Sequence, residues 1–133
     1  MINDCIFCKI IKGEIPSYKI YENDYVYAFL DIAQDCEGHT LVIPKKHCVN
    51  SLDCDTEYYI KVQETVKKIS EHYVNECGYT GVNIFNASGL DAQQSVFHYH
   101  VHIIPRYNND DLKIEFTDHS KEINLDTVLN EIK

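Results

Sequence analysis

Hydrophobic and polar positions change period several times along the chain, and each change marks an element. Residues 5–12 (Cys-Ile-Phe-Cys-Lys-Ile-Ile-Lys) form a short helical pattern that ends at Gly13. Ser17–Glu22 alternates loosely, Asn23-Asp24 signals a turn, and Tyr25–Ile32 is rich in aromatic and β-branched residues, the mark of a second strand. Gln34–Gly38 reads as a loop and His39–Pro44 as a short third strand. From Asp55 the period lengthens: Tyr59, Val62, Val66, Ile69 and Tyr73 recur every three or four residues, with Lys61, Glu64, Lys67, Lys68 and Glu71 between them. That is one long amphipathic helix, capped by Asp53 or Asp55 and followed by Gly78. Tyr79–Asn86 predicts a fourth strand. Val96–Ile104 predicts a fifth, which Pro105 ends. The remainder, 108–133, is an acidic tail with a terminal helix over Asp126–Ile132.

Hairpin-like neighbours around one long helix imply an α+β fold: a five-stranded antiparallel sheet, the long helix on one face, and a short N-terminal helix. No repeat or linker divides the 133 residues, so 1–133 is expected to be a single domain. No apolar run approaches ~18 residues and Met1-Ile2-Asn3-Asp4 does not resemble a secretory signal, which predicts a cytoplasmic protein without a membrane span. With 12 Lys+Arg against 21 Asp+Glu the net charge is −9, which disfavours a nucleic acid polymer as partner. A small phosphorylated ligand stays compatible with that charge, because backbone N–H groups and a few imidazoles can hold one phosphate.

Phe97-His98-Tyr99-His100-Val101-His102 carries the strongest chemical signal. Side chains on a strand alternate faces, so His98, His100 and His102 share one, and Phe97, Tyr99, Val101 and Ile103 share the other, apolar face. Three imidazoles at period two are a poor packing choice, since each ring nitrogen needs a partner. They fit either a metal site or a catalytic row in which one neutral imidazole is the nucleophile. Cys5-x-x-Cys8 precedes any strand, which argues against a thioredoxin-type pair and for half of a zinc site. Cys36, Cys48, Cys54 and Cys77 follow no pairing pattern and read as small buried hydrophobes, and His72 and His119 as solvated residues.

His98–Ile104 resembles the signature of the histidine triad (HIT) family of nucleotide hydrolases and transferases. Cys5–Ile11, Phe29–Ile32, Gly38–His47, Asn86 and Gln94–Phe97 resemble the same family, in its order, over about residues 3–107. The resemblance implies that His100 is the nucleophile toward an α-phosphorus, forming a nucleotidyl-histidine, with His102, His39 and Ser95 assisting. It implies that Asp31 binds the ribose hydroxyls, that Asn86 and Gln94 contact phosphate, and that Phe7, Ile10, Leu30 and Leu41 hold the base. Gln93 stands where the family usually has glycine. Zinc-containing microbial members imply a structural Zn2+ on Cys5, Cys8, His47 and His98. The expected substrate is a purine nucleotide conjugate, a nucleoside phosphoramidate or aminoacyl adenylate; dinucleoside polyphosphate hydrolysis and nucleotide-binding regulation are alternatives. A homodimer with a continuous sheet is also implied.

Overall fold

The computed structural model describes residues 4–133; the reading of Met1–Asn3 as lacking a signal lies outside them. Helix α1 (Ile6–Ile11) comes first, then strands β1 (Lys19–Glu22), β2 (Val26–Leu30) and β3 (Thr40–Pro44). Helix α2 (Thr56–Glu76), strands β4 (Gly81–Phe85) and β5 (Val101–Arg106), and helix α3 (Leu125–Ile132) complete the order. The sheet runs β1-β2-β3-β5-β4 with every pair antiparallel. This is the α+β architecture expected.

The two faces of the sheet have different jobs. Val26, Ala28, Val42, Val101 and Ile103 point to α2 and pack on Val62, Val66, Ile69 and Tyr73. Of the expected helical stripe only Tyr59 stays exposed, stacked on the Tyr99 ring at 5.8 Å between centroids. Asp55, not Asp53, caps α2 by accepting from the Glu57 N–H. Asp53 instead accepts from Val49 and Asn50 in the preceding loop. The opposite face carries Tyr27, Phe29, Leu41 and Ile43 under α1.

Strand β5 departs from expectation at both ends. It begins at Val101, not Val96, because β3 pairs no further than Val42 with Val101. Before that point Tyr99 donates its N–H to the Cys48 carbonyl, and His98 and His100 lie on irregular backbone. Alternation persists for Tyr99, buried against α2, but Phe97 is 47% exposed and does not join the apolar face. Pro105 does not end the strand, which continues to Arg106 opposite β4. On its other side the pairing with β3 reaches no further than Thr40 opposite Ile103, so no β3 partner stands opposite Pro105. Among the four unassigned cysteines only Cys48 is buried, and Cys77 is exposed.

Candidate active site and metal centre

The three histidines do not share one face as strand alternation predicts: the irregular backbone before Val101 turns His98 away from His100 and His102. In α1 the Cys5 Sγ accepts from the Cys8 N–H at 3.4 Å, capping the helix, and the i, i+3 spacing turns both thiols to one side. Gly13, left-handed at φ +78°, closes the helix behind Lys12. Two imidazoles meet those thiols. His98 Nδ1 is 3.4 Å from Cys5 Sγ and 3.5 Å from Cys8 Sγ, while His47 Nδ1 is 3.4 Å from Cys8 Sγ and 3.1 Å from His98 Nδ1. His98 Nε2 donates to the Pro44 carbonyl at 2.9 Å, a tautomer that leaves the Nδ1 lone pair aimed at the thiols.

The donor set passes a geometric test for a tetrahedral ion. Zinc bonds of about 2.0 Å to nitrogen and 2.3 Å to sulfur place ligand atoms roughly 3.3–3.8 Å apart. The contacts here run from 3.1 to 3.5 Å, and all four atoms lie within 4.8 Å of one another. Burial and the adjacent Cys5 thiol push the Cys8 thiol up to about 11. Such a pair of packed thiols ionises readily only beside a cation.

His100 turns elsewhere. Its Nδ1 donates to the His98 carbonyl at 2.7 Å, so Nε2 is the nitrogen with a free lone pair. Burial above all holds the imidazole below its ordinary pKa, against the raising effects of the His98 carbonyl and of Asp31 and with a small further lowering by His39, which favours the neutral ring near pH 7. The edge of Phe7 packs on the ring at 5.3 Å between centroids. His100 and His102 line a cavity of about 400 Å³ with Phe7, Ile10, Leu30, Asp31, Leu41 and Ser95. Ile15, Pro16 and Ser17 also line it, a contribution of the α1–β1 segment that periodicity alone did not mark. The triad therefore does not converge on one metal: His98 faces the thiols, and His100 and His102 face the cavity.

Three expected site residues stand behind the cavity. His39 is 4% exposed and bonds through Nε2 to His102 Nδ1 at 2.8 Å. Asn86 donates to the His100 carbonyl at 3.0 Å and holds that backbone. The Gln94 amide donates to the Val49 and Val96 carbonyls and accepts from the Gly89 N–H, locking the loop ahead of Ser95. Gln34, read only as a loop residue, has a positioning role: its amide donates to the Asp31 and His39 carbonyls and accepts from the Gly38 N–H. Gly38 has φ +90°, and a Cβ there would lie 2.9 Å from the Tyr79 hydroxyl, so the turn that aims His39 needs glycine.

An antiparallel sheet with an imidazole pair over a cavity of about 400 Å³, beside a Cys2His2 cluster, agrees with the resemblance to histidine-triad proteins. The HIT domain matches residues 12–109, and the chain belongs to the HIT family. It is 51% identical to Protein hit of Bacillus subtilis over 108 residues, covering 81% of this chain and 74% of that one. It is 41% identical over 102 residues to the adenosine 5′-monophosphoramidase of Saccharomyces cerevisiae, covering 77% and 62%, and 39% identical over 108 residues to an adenylylsulfatase of Arabidopsis thaliana, covering 81% and 55%. A HIT-family crystal structure from Bacillus subtilis superposes with a TM-score of 0.88 at 43% identity, over 98% of this chain and 95% of that one. A zinc-bound histidine triad protein of Mycobacterium smegmatis gives 0.79 at 35% identity, over 90% and 86%.

Proposed function

We propose that the protein hydrolyses purine nucleotide conjugates at the α-phosphorus, nucleoside phosphoramidates or aminoacyl adenylates above all. The observation that carries this reading is the His100 Nδ1 bond to the His98 carbonyl, which commits Nε2 as the free nitrogen of a ring that lines the cavity. Relatives named as an adenosine 5′-monophosphoramidase and an adenylylsulfatase support it.

The steps balance without a redox partner. His100 Nε2 forms a bond to phosphorus as the bond to the leaving nitrogen or oxygen breaks, and the leaving group takes a proton. Water then attacks phosphorus, the N–P bond breaks, and His100 returns neutral. His102 contacts the nonbridging oxygens and stabilises the charge that develops there. Ser95 Oγ can donate or accept in either half-reaction. The Asp31 carboxylate has two acceptor oxygens for the ribose hydroxyls, and Phe7, Ile10, Leu30 and Leu41 give the base an apolar slot.

Cys5, Cys8, His47 and His98 would hold a structural Zn2+, whose part is to fix the His98 backbone on which His100 hangs. The reading also includes a homodimer: β4 is an outer strand of the sheet, with Ile84 51% and Phe85 41% exposed.

The test is single-turnover labelling with AMP and GMP conjugates. Wild-type protein should yield an acid-labile nucleotide adduct and a burst of leaving group, and His100→Ala should yield neither. Bound nucleotide with no adduct in the wild type would make the protein a binder and overturn the hydrolase reading.

A further inference from the structure

His39 holds an unbalanced position. Its Nε2 is engaged with His102 Nδ1 at 2.8 Å, yet its Nδ1 is buried with no hydrogen-bond partner. The acidic group facing that nitrogen is the Asp35 carboxylate, whose Oδ2 lies 3.9 Å away on a side chain 75% exposed. Asp31 approaches the other nitrogen, Oδ2 to His39 Nε2 at 3.8 Å, and its Oδ1 already accepts from the Ala33 N–H at 2.9 Å. Asp31 therefore leaves the orphan unanswered. Asp35 sits on the β2–β3 loop, and a movement of about 1 Å by an exposed carboxylate reaches hydrogen-bond length.

We propose that Asp35 is a positioning residue that sets the tautomer of the His39–His102 pair. The inference rests on the reading of His102 as the phosphate-contacting imidazole. A carboxylate only accepts, so it selects the His39 form with hydrogen on Nδ1. His39 Nε2 is then an acceptor, and the short contact obliges His102 to donate from its own Nδ1. The free nitrogen of His102, Nε2, carries a lone pair in the resting protein. Without Asp35 the opposite chain is available: His39 donates from Nε2, and His102 holds hydrogen on Nε2.

The two arrangements meet an incoming phosphate differently. In the Asp35-set form, one proton taken from solvent onto His102 Nε2 makes the pair a donor at both ends, to a phosphate oxygen on one side and to Asp35 on the other. The carboxylate balances the added positive charge. In the opposite form His102 already donates, and no anion stands behind His39 Nδ1 to accept from it. Asp35 thus couples phosphate binding to proton uptake by the pair.

Histidine tautomers are read directly by long-range 1H–15N correlation on labelled protein without substrate, with His39 and His102 signals assigned by single substitution. The wild type should show hydrogen on Nδ1 of both rings. Asp35→Ala should move His39 toward the Nε2–H form, and Asp35→Asn, whose amide oxygen still accepts, should restore the wild-type form. In turnover, Asp35→Ala should lower kcat roughly tenfold, and Asp35→Asn should recover only part of it because the charge is gone. An Nε2–H His39 in the wild type, or a tautomer indifferent to Asp35→Ala, overturns the proposal whatever the substrate. An Asp35-dependent tautomer in a protein that hydrolyses no nucleotide conjugate upholds it and removes the hydrolase reading instead.

Discussion

Gln93 shows how much a single backbone conformation decides. It has φ +69° and ψ +31°, left-handed, where any Cβ crowds the following carbonyl at a cost of roughly 1–2 kcal/mol. The strain serves the next residues: the chain reverses there, Gln94 turns inward to bind Val49 and Gly89, and Ser95 emerges at the cavity. Gln93→Gly should raise stability by about 0.5–1 kcal/mol, the relieved strain less the extra entropy of an unfolded glycine. Urea unfolding would show it as a higher midpoint at constant slope. This residue also marks where reading the sequence stops. The histidines, Asp31 and Ser95 could be named from their spacing and resemblance. The direction of Gln94 could not, because it hangs on a dihedral angle that glutamine seldom adopts.

At the scale of elements, strand pairing explains what the pattern alone left open. Alternation holds for Tyr99 through Ile103, but a strand exists only where a neighbour offers its ladder, and the β3–β5 pairing stops at Val42 opposite Val101 although β3 itself continues to Pro44 against β2. That early end is what frees His98 to turn to the thiols and lets its carbonyl hold His100. Helix α2, whose period was unmistakable, then fixes the sheet from behind. Tyr73 hydroxyl and Thr40 Oγ1 meet at 2.7 Å in the core, and Thr40 Oγ1 in turn donates to the Gly38 carbonyl at 2.7 Å. The chain of bonds runs from helix to strand to the turn that aims His39. Tyr73→Phe keeps the ring and removes one buried bond, so the loss in stability should be about 1 kcal/mol. If that helix contact steadies the turn, amide exchange at Gly38 and His39 should quicken more than elsewhere in the sheet.

Across the whole molecule, the Cys2His2 cluster ties three distant stretches together. His98 meets Cys5 across 93 positions of sequence and His47 meets Cys8 across 39. The stretch carrying Cys5 and Cys8 also supplies Ile6, Phe7 and Ile10 to the cavity wall, so a metal there would brace that wall without touching His100 or His102. The core between the sheet and α2 does not depend on it, since Val26, Val42, Val62, Val101 and Ile103 pack on the far side of the sheet, whereas the smaller core under α1 includes Cys5 and Cys8 themselves. Metal removal by a strong chelator should therefore loosen α1 and leave the sheet and α2 folded at low temperature. We expect Tm to fall by more than about 10 °C, in keeping with the loss of several kcal/mol of binding energy that exists only in the folded state. Below the new Tm, KM should rise more than kcat falls, because the apolar wall is lost while His100 and His102 remain. Substituting His47, which touches the cluster but not the cavity, should reproduce both effects. A catalytic ion held by the histidines would behave in the opposite way: kcat would vanish on chelation with Tm unmoved. Recording thermal unfolding and both kinetic constants on one chelated sample separates a brace from a reagent.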